Sequence, residues 1–245
     1  MNLQGLEALI KMEVKKVIRQ PATLFLTLLF PAVLTLTLGF VFGDPTLGMS
    51  LNSVVPGLIA YACIFIIMTI AQSFSSERQE GLLKRMNTTP MTSGEFMGSH
   101  IITNMLIAIL QVIVVFAIAV LIGFNPKSGI GGIFLAFPVI ALFSLSSVGL
   151  GLITATVSKT PEVATGISFI FILPQMFFGT FLPVTDTTRQ IARFIPSYYV
   201  VDALSLIFGG NWASANILLD MGVISIVSVV IVIFGMLLFK KYGNL

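Results

Sequence analysis

The 245-residue chain is 56% hydrophobic and only 9% charged, with a formal net charge of +3. A water-soluble domain of this length needs far more charge to cover its surface, so the composition excludes that class and requires lipid around most of the chain. The single cysteine, Cys63, sits in an apolar run; this rules out an internal disulfide, offers no metal-ligand spacing, and reads as a small packing residue.

The first element is an amphipathic helix over Leu3–Gln20. Leu3, Leu6, Ile10, Val14, Val17 and Ile18 recur at helical spacing, while Glu7, Lys11 and Lys15 follow at four-residue steps on another face. That pattern predicts a helix lying in the membrane interface, its basic face toward anionic lipid. It is either an anchor only, or an anchor whose polar face also meets a cytoplasmic partner.

Crossing the hydrocarbon core takes about twenty apolar residues. Six segments qualify: Thr23–Phe42, Val54–Phe74, Ile101–Phe124, Ile130–Val157, Val163–Leu182 and Ile217–Phe239. None carries Lys or Arg in its interior. Each must be helical, because an unpaired backbone amide in lipid costs several kcal/mol. Gly43-Asp44-Pro45, Asn125-Pro126-Lys127-Ser128-Gly129 and Ser158-Lys159-Thr160-Pro161 punctuate the joints. Pro31, Pro138 and Pro174 lie inside spans and predict kinks rather than breaks.

Between the second and third spans, Ser76–Met86 predicts a short helix. Glu80 and Lys84 pair at four residues, and Leu82, Leu83 and Met86 form a small apolar patch. Pro90 ends the segment, and Thr92 with Glu95 makes a capping box into the third span. By spacing alone this helix either docks a partner or lies on the membrane. Pro183–Asn216 is long and mixed, and predicts short helices returning into the outer leaflet, with Tyr198, Tyr199 and Trp212 at its edge.

Lys11, Lys15, Lys16, Arg19, Arg78, Lys84, Arg85, Lys159, Lys240 and Lys241 fall on one side of the six spans, and Lys127, Arg189 and Arg193 on the other. The basic side is expected to be cytoplasmic, with both termini inside a multi-pass protein of the cell membrane. No catalytic set is visible. His100, the only histidine, reads as an interfacial polar residue. There is no paired-histidine metal motif, no Cys/His cluster and no Gly-rich loop ending in Gly-Lys-Ser or Gly-Lys-Thr. Glu162, Asp202 and Asp220 lie near span ends, not at the midplane where an ion-coupled carrier needs them. This counts against a self-sufficient secondary transporter, although backbone and hydroxyl oxygens could still bind sodium, and leaves a transporter whose energy arrives from outside the chain.

Two stretches carry a family resemblance. One is Glu77-Arg78-Gln79-Glu80-Gly81-Leu82-Leu83-Lys84-Arg85-Met86-Asn87-Thr88-Thr89-Pro90 with the Thr92–Phe96 segment after it. The other is Phe181-Leu182-Pro183-Val184 followed by Phe194-Ile195-Pro196-Ser197-Tyr198-Tyr199-Val200-Val201-Asp202-Ala203-Leu204. Both resemble the permeases of type-2 ATP-binding-cassette exporters, the ABC-2 family, and the resemblance covers nearly the whole chain. Two departures stand out. Gly81-Leu82-Leu83 replaces a frequent Gly-Thr-Leu, and Ser205 stands where many members have Arg.

The resemblance implies an all-α permease of six spans, a single domain over residues 1–245. It implies two permease copies, identical or not, each docking a separate ATP-binding subunit. No cofactor is expected on this chain, because ATP and magnesium stay on that partner. Glu77, Arg78, Glu80, Gly81, Leu82, Leu83, Lys84, Arg85, Met86 and Pro90 would be the coupling element, flanked by the N-terminal helix. The substrate path would run at the dimer axis along Phe169, Phe171, Pro174, Met176, Phe177, Phe178 and Phe181, although for any single aromatic lipid contact or core packing is the plainer explanation. The expected role is export of hydrophobic or amphipathic molecules. A polysaccharide exporter, a self-powered carrier and a membrane scaffold are the alternatives.

Overall fold

The computed structural model describes residues 3–19, 21–42, 50–81, 93–181 and 186–242. Among them every regular element is helical: α1 (Leu3–Arg19), α2 (Pro21–Phe42), α3 (Leu51–Gln79), α4 (Ser93–Leu121), α5 (Gly129–Val157), α6 (Pro161–Met176), α7 (Asp186–Ala192), α8 (Pro196–Phe208) and α9 (Ala215–Tyr242). A π-helical turn, Phe177–Phe181, extends α6 past Pro174.

Five of these helices, α3, α4, α5, α6 and α9, are long and apolar enough to cross a membrane. The remaining expected span corresponds to α2, a 22-residue apolar helix, Pro21–Phe42. The chain is an all-helical, multi-pass membrane protein.

The spans outrun the limits that hydropathy sets. α3 has 29 residues, about 43 Å at about 1.5 Å per residue, against a hydrocarbon core of about 30 Å. It continues through Ser75–Gln79, and α4 begins eight residues before Ile101. The expected helix Ser76–Met86 is divided accordingly. Residues 76–79 complete α3, Glu80 caps it, and Gly81 turns away at φ 72°. Glycine enters that left-handed region without a Cβ penalty and commonly ends helices for that reason. Leu82, Leu83, Lys84, Arg85, Met86 and Pro90 lie outside the described residues.

α3 is the axis of the bundle. Val55, Leu58, Ile59, Ile64, Ile67, Ile70 and Phe74 are fully buried against α5, α6, α4 and α8. α5 and α9 cross so closely that a Cβ on Gly235 would stand 3.0 Å from the Gly149 carbonyl oxygen. Small residues at such crossings let backbones approach where lipid offers no hydrophobic drive between helices. Side chains also bond across the bundle: Gln72 Nε2 donates to Thr165 Oγ1 at 2.7 Å, and Ser228 Oγ to the Leu142 carbonyl at 2.8 Å.

At one end, α8 inserts Val200, Ala203, Leu204 and Ile207 into the core, and Phe208 meets Phe124 edge-on at 5.4 Å. The Lys127 amide donates to the Phe208 carbonyl at 2.9 Å. Tyr199 donates its hydroxyl to the Arg193 carbonyl at 2.8 Å, and Trp212 is 53% exposed. The helices expected in the 183–216 segment are therefore present as α7 and α8, and α8 is core rather than edge.

Candidate functional site: a buried charge junction beside a membrane-depth cavity

The other end of the bundle collects α1, the last turn of α3, the first turns of α4, the α5–α6 joint and the end of α9. α1 does not simply float there. Leu6 packs over Gly98, Leu9 is buried, and Glu13 is 3% exposed beneath the helix. The buried stripe of α1 thus runs through Leu9 and Glu13. Ile18, expected on the apolar face, is 64% exposed instead. Glu7 and Lys11 pair at 2.6 Å on the outer face as their spacing predicts.

Beneath α1, Glu13 meets Glu77 of α3 and His100 of α4, each nearly fully buried. His100 Nε2 lies 3.4 Å from Glu13 Oε1 and 3.4 Å from Glu77 Oε2. Lys16 Nζ donates to Glu77 Oε1, to which Ser73 Oγ also donates at 3.4 Å. The imidazole is held between Phe74 and Phe96, with ring centroids 4.2 and 4.5 Å away. Phe74 in turn meets Phe239 of α9 edge-on at 5.5 Å. Removal from water raises the Glu13 carboxyl above its ordinary range; His100 pulls the other way, Glu77 adds to the rise, and Lys16 opposes it.

Arg78 crosses to α5. Its Nη1 donates to the Ser158 carbonyl at 2.9 Å and reaches the Thr156 carbonyl at 3.4 Å. A guanidinium at a helix C-terminus satisfies carbonyls with no intrahelical partner and meets the negative end of the dipole.

The junction opens onto a cavity of about 740 Å³ between α1, α2, α3 and α4. Phe30 and Phe65, stacked at 4.7 Å, form its apolar part. Thr69, Gln72, Thr103 and Asn104 form a polar belt, and Glu13, Lys16, Glu77, Glu80 and His100 its charged end. Clefts of this size that join aromatic walls to a few polar groups are typical small-molecule sites.

The expected site residues are distributed unevenly. Glu77 and Arg78 turn into the bundle, and Glu80 is exposed. Phe169 and Phe177 are 42% and 45% exposed, Pro174 is exposed, Phe171 packs against the core, and Met176 and Phe178 are half-buried. The Phe181 side chain lies outside the described residues. None of these α6 residues lines the cavity. The sequence reading missed Glu13 and treated His100 as a lone interfacial residue. One signal was available for Glu13: an acid four residues after Leu9 on the face that also carries Leu6.

The fold and this junction define a polytopic helical membrane protein whose α1 is tied by buried charge to the ends of two spans. Residues 4–208 match the ABC-2 type transporter family, and the chain belongs to that family. It is 25% identical over 181 residues to the probable multidrug ABC transporter permease YbhR of Escherichia coli K12, covering 65% of this chain and 47% of that protein. It is 22% identical over 160 residues to the daunorubicin resistance ABC transporter permease protein DrrB1 of Streptomyces coeruleorubidus, covering 65% of this chain and 56% of that one. The chain therefore spans about half the length of the curated relatives it matches.

Proposed function

We propose that this chain is the permease subunit of an ATP-driven exporter, moving hydrophobic or amphipathic molecules out of the cytoplasm. In this reading the basic end faces the cytoplasm, two permeases pair, and each docks a separate ATP-binding subunit that holds ATP and magnesium. The chain would contribute the path and the mechanical link, not the hydrolysis.

One observation carries the proposal. α3 ends at Gly81, and Glu77 and Arg78 just before that end are tied to α1, α4 and the α5 terminus. A push delivered to the end of α3 would pass through buried, charge-assisted contacts into α3, α4 and α5 together. Packed elements transmit force as rigid bodies because their interiors do not deform continuously. The partner-facing residues would be the exposed Glu7, Lys11 and Glu80 and the segment Leu82–Pro90, with Glu77 acting from beneath. The names of YbhR and DrrB1 support the exporter class. The aromatic cavity favours amphipathic molecules over polysaccharides. The exposed face of α6, with Phe169, Pro174 and Phe177, is available for the second permease.

Reconstitution of the chain with its ATP-binding subunit in vesicles tests this directly. ATP-dependent movement of a lipophilic dye is expected; movement without the second subunit, or failure of the chain to hold any ATP hydrolase, overturns the reading. Lys11→Glu combined with Glu80→Lys should weaken that association and leave the unfolding transition unchanged.

A further inference from the structure

We infer that Glu13, Glu77 and His100 form a binding site for one divalent transition metal of the zinc type. Glu13 Oε1, Glu77 Oε2 and His100 Nε2 are each sealed from solvent, and among the described residues their only polar neighbours are one another, with His100 Nε2 3.4 Å from each carboxylate oxygen. They come from three different helices, and all lie within 4.8 Å of one another. Three buried, convergent polar atoms that meet only one another, at long range, favour an occupant, because such contacts offset their desolvation penalty incompletely.

The spacing selects the occupant. Tetrahedral zinc holds nitrogen and oxygen ligands at about 2.0–2.2 Å, which sets neighbouring ligand atoms about 3.3–3.5 Å apart. Both edges that meet at His100 Nε2 measure 3.4 Å, and the edge between the two carboxylates lies within 4.8 Å, a gap that a carboxylate rotation would close on binding. One imidazole with two carboxylates suits zinc; calcium and magnesium prefer all-oxygen shells with more ligands. The surroundings orient the donors as metal sites require. Lys16 and Ser73 engage Glu77 Oε1 and leave Oε2 to face inward. Phe74 and Phe96 fix the imidazole plane. With Lys16 offsetting one carboxylate, the pocket retains a net negative charge that attracts a cation. All three residues also contribute to the cavity wall, which would supply the metal and its fourth ligand. A metal here would staple α1 to α3 and α4. The inference does not depend on the exporter reading, because it is tested by metal content alone.

The full chain, purified without chelator and with any partner it keeps, is assayed for metal. It is then stripped with EDTA and titrated with zinc against a chromophoric chelator, with thermal unfolding as a second readout. Wild type should bind about one zinc per chain and melt at higher temperature with zinc than without. His100→Gln and Glu13→Gln should bind more than about tenfold more weakly. Glu13→His keeps a ligand but removes the carboxylate, and should retain zinc. Cobalt(II) added to the stripped wild type should give the visible bands of a four-coordinate site, a measurement that needs no variant to fold. A stripped wild type that ignores zinc and shows no such bands overturns the inference. So does a Glu13→Gln chain that binds as tightly as wild type, or a Glu13→His chain that folds but loses zinc; these outcomes would leave a protonated His100 bridging two carboxylates.

Discussion

The two ends of the bundle are closed by opposite chemistry. At the α8 end, Phe116, Phe124 and Phe208 meet ring to ring, and aliphatic residues fill the space behind them. At the α1 end the same job falls to Glu13, Lys16, Glu77 and His100, wrapped by Phe74 and Phe96. An apolar ring cluster is non-directional and needs no charge partner, although the buried Asp220 of α9 lies at the same end beside Asp202 of α8. A charged plug holds only while each member keeps its partner, because a buried charge left alone is strongly penalised. The end expected to receive force is thus the one whose integrity can be switched.

Four substitutions and conditions sharpen or break that contrast. Phe208→Ala should lower stability by about 3–5 kcal/mol in detergent unfolding, equally at every pH and salt concentration; a pH-dependent loss would blur the distinction. Glu77→Ala should lower it by about 3 kcal/mol, since Lys16 and His100 lose their shared partner; a neutral outcome would mean that water already serves the junction.

The pH response should be smaller. Burial raises the Glu13 carboxyl above its ordinary 4.5, so in chelator-treated protein the folded chain holds that proton more tightly than the unfolded chain. Its contribution is complete below 4.5 and disappears as pH climbs through the raised value. Melting curves of wild type minus Glu13→Gln should therefore show relative stabilisation on acidification from neutrality, and a flat difference would place Glu13 in water. Smallest of all, Glu7→Gln on the exposed outer face should leave unfolding unchanged, which makes it a clean probe of partner binding.

Much of this architecture was legible because lipid imposes one demand, a long apolar helix, and hydropathy answers it. The spans were read where Val, Ile, Leu and Phe dominate. What hydropathy could not read was where helices outlast the lipid. Ser75–Gln79 and Ser93–His100 hold many of the polar residues at this end, yet they remain helical because neighbouring elements partner them: Glu77 with Lys16 of α1, Arg78 with the Ser158 carbonyl, and His100 between Phe74 and Phe96. Such partners are distant in sequence and leave no periodic trace.

The candidate site fared accordingly. Glu77 and Arg78 were found through motif resemblance, but a motif gives position in the chain and not the direction of a side chain. Spacing suggested a surface helix, whereas Gly81 ends α3 before that surface begins. Glu13 looked like one more charge on an amphipathic helix. Only the close seating of Leu6 against Gly98 reveals that this face of α1 points inward.

Sixty-one residues separate Lys16 from Glu77, and that interval orders events at the ribosome. α1 is synthesised before either of its inner companions. It can settle on the bilayer surface at once, but its acid has nothing to meet until α3 has been threaded through and the head of α4 has followed. The junction is therefore assembled stepwise, Lys16 to Glu77 first, and a nascent chain stalled ahead of His100 would leave Glu13 without its inner companion.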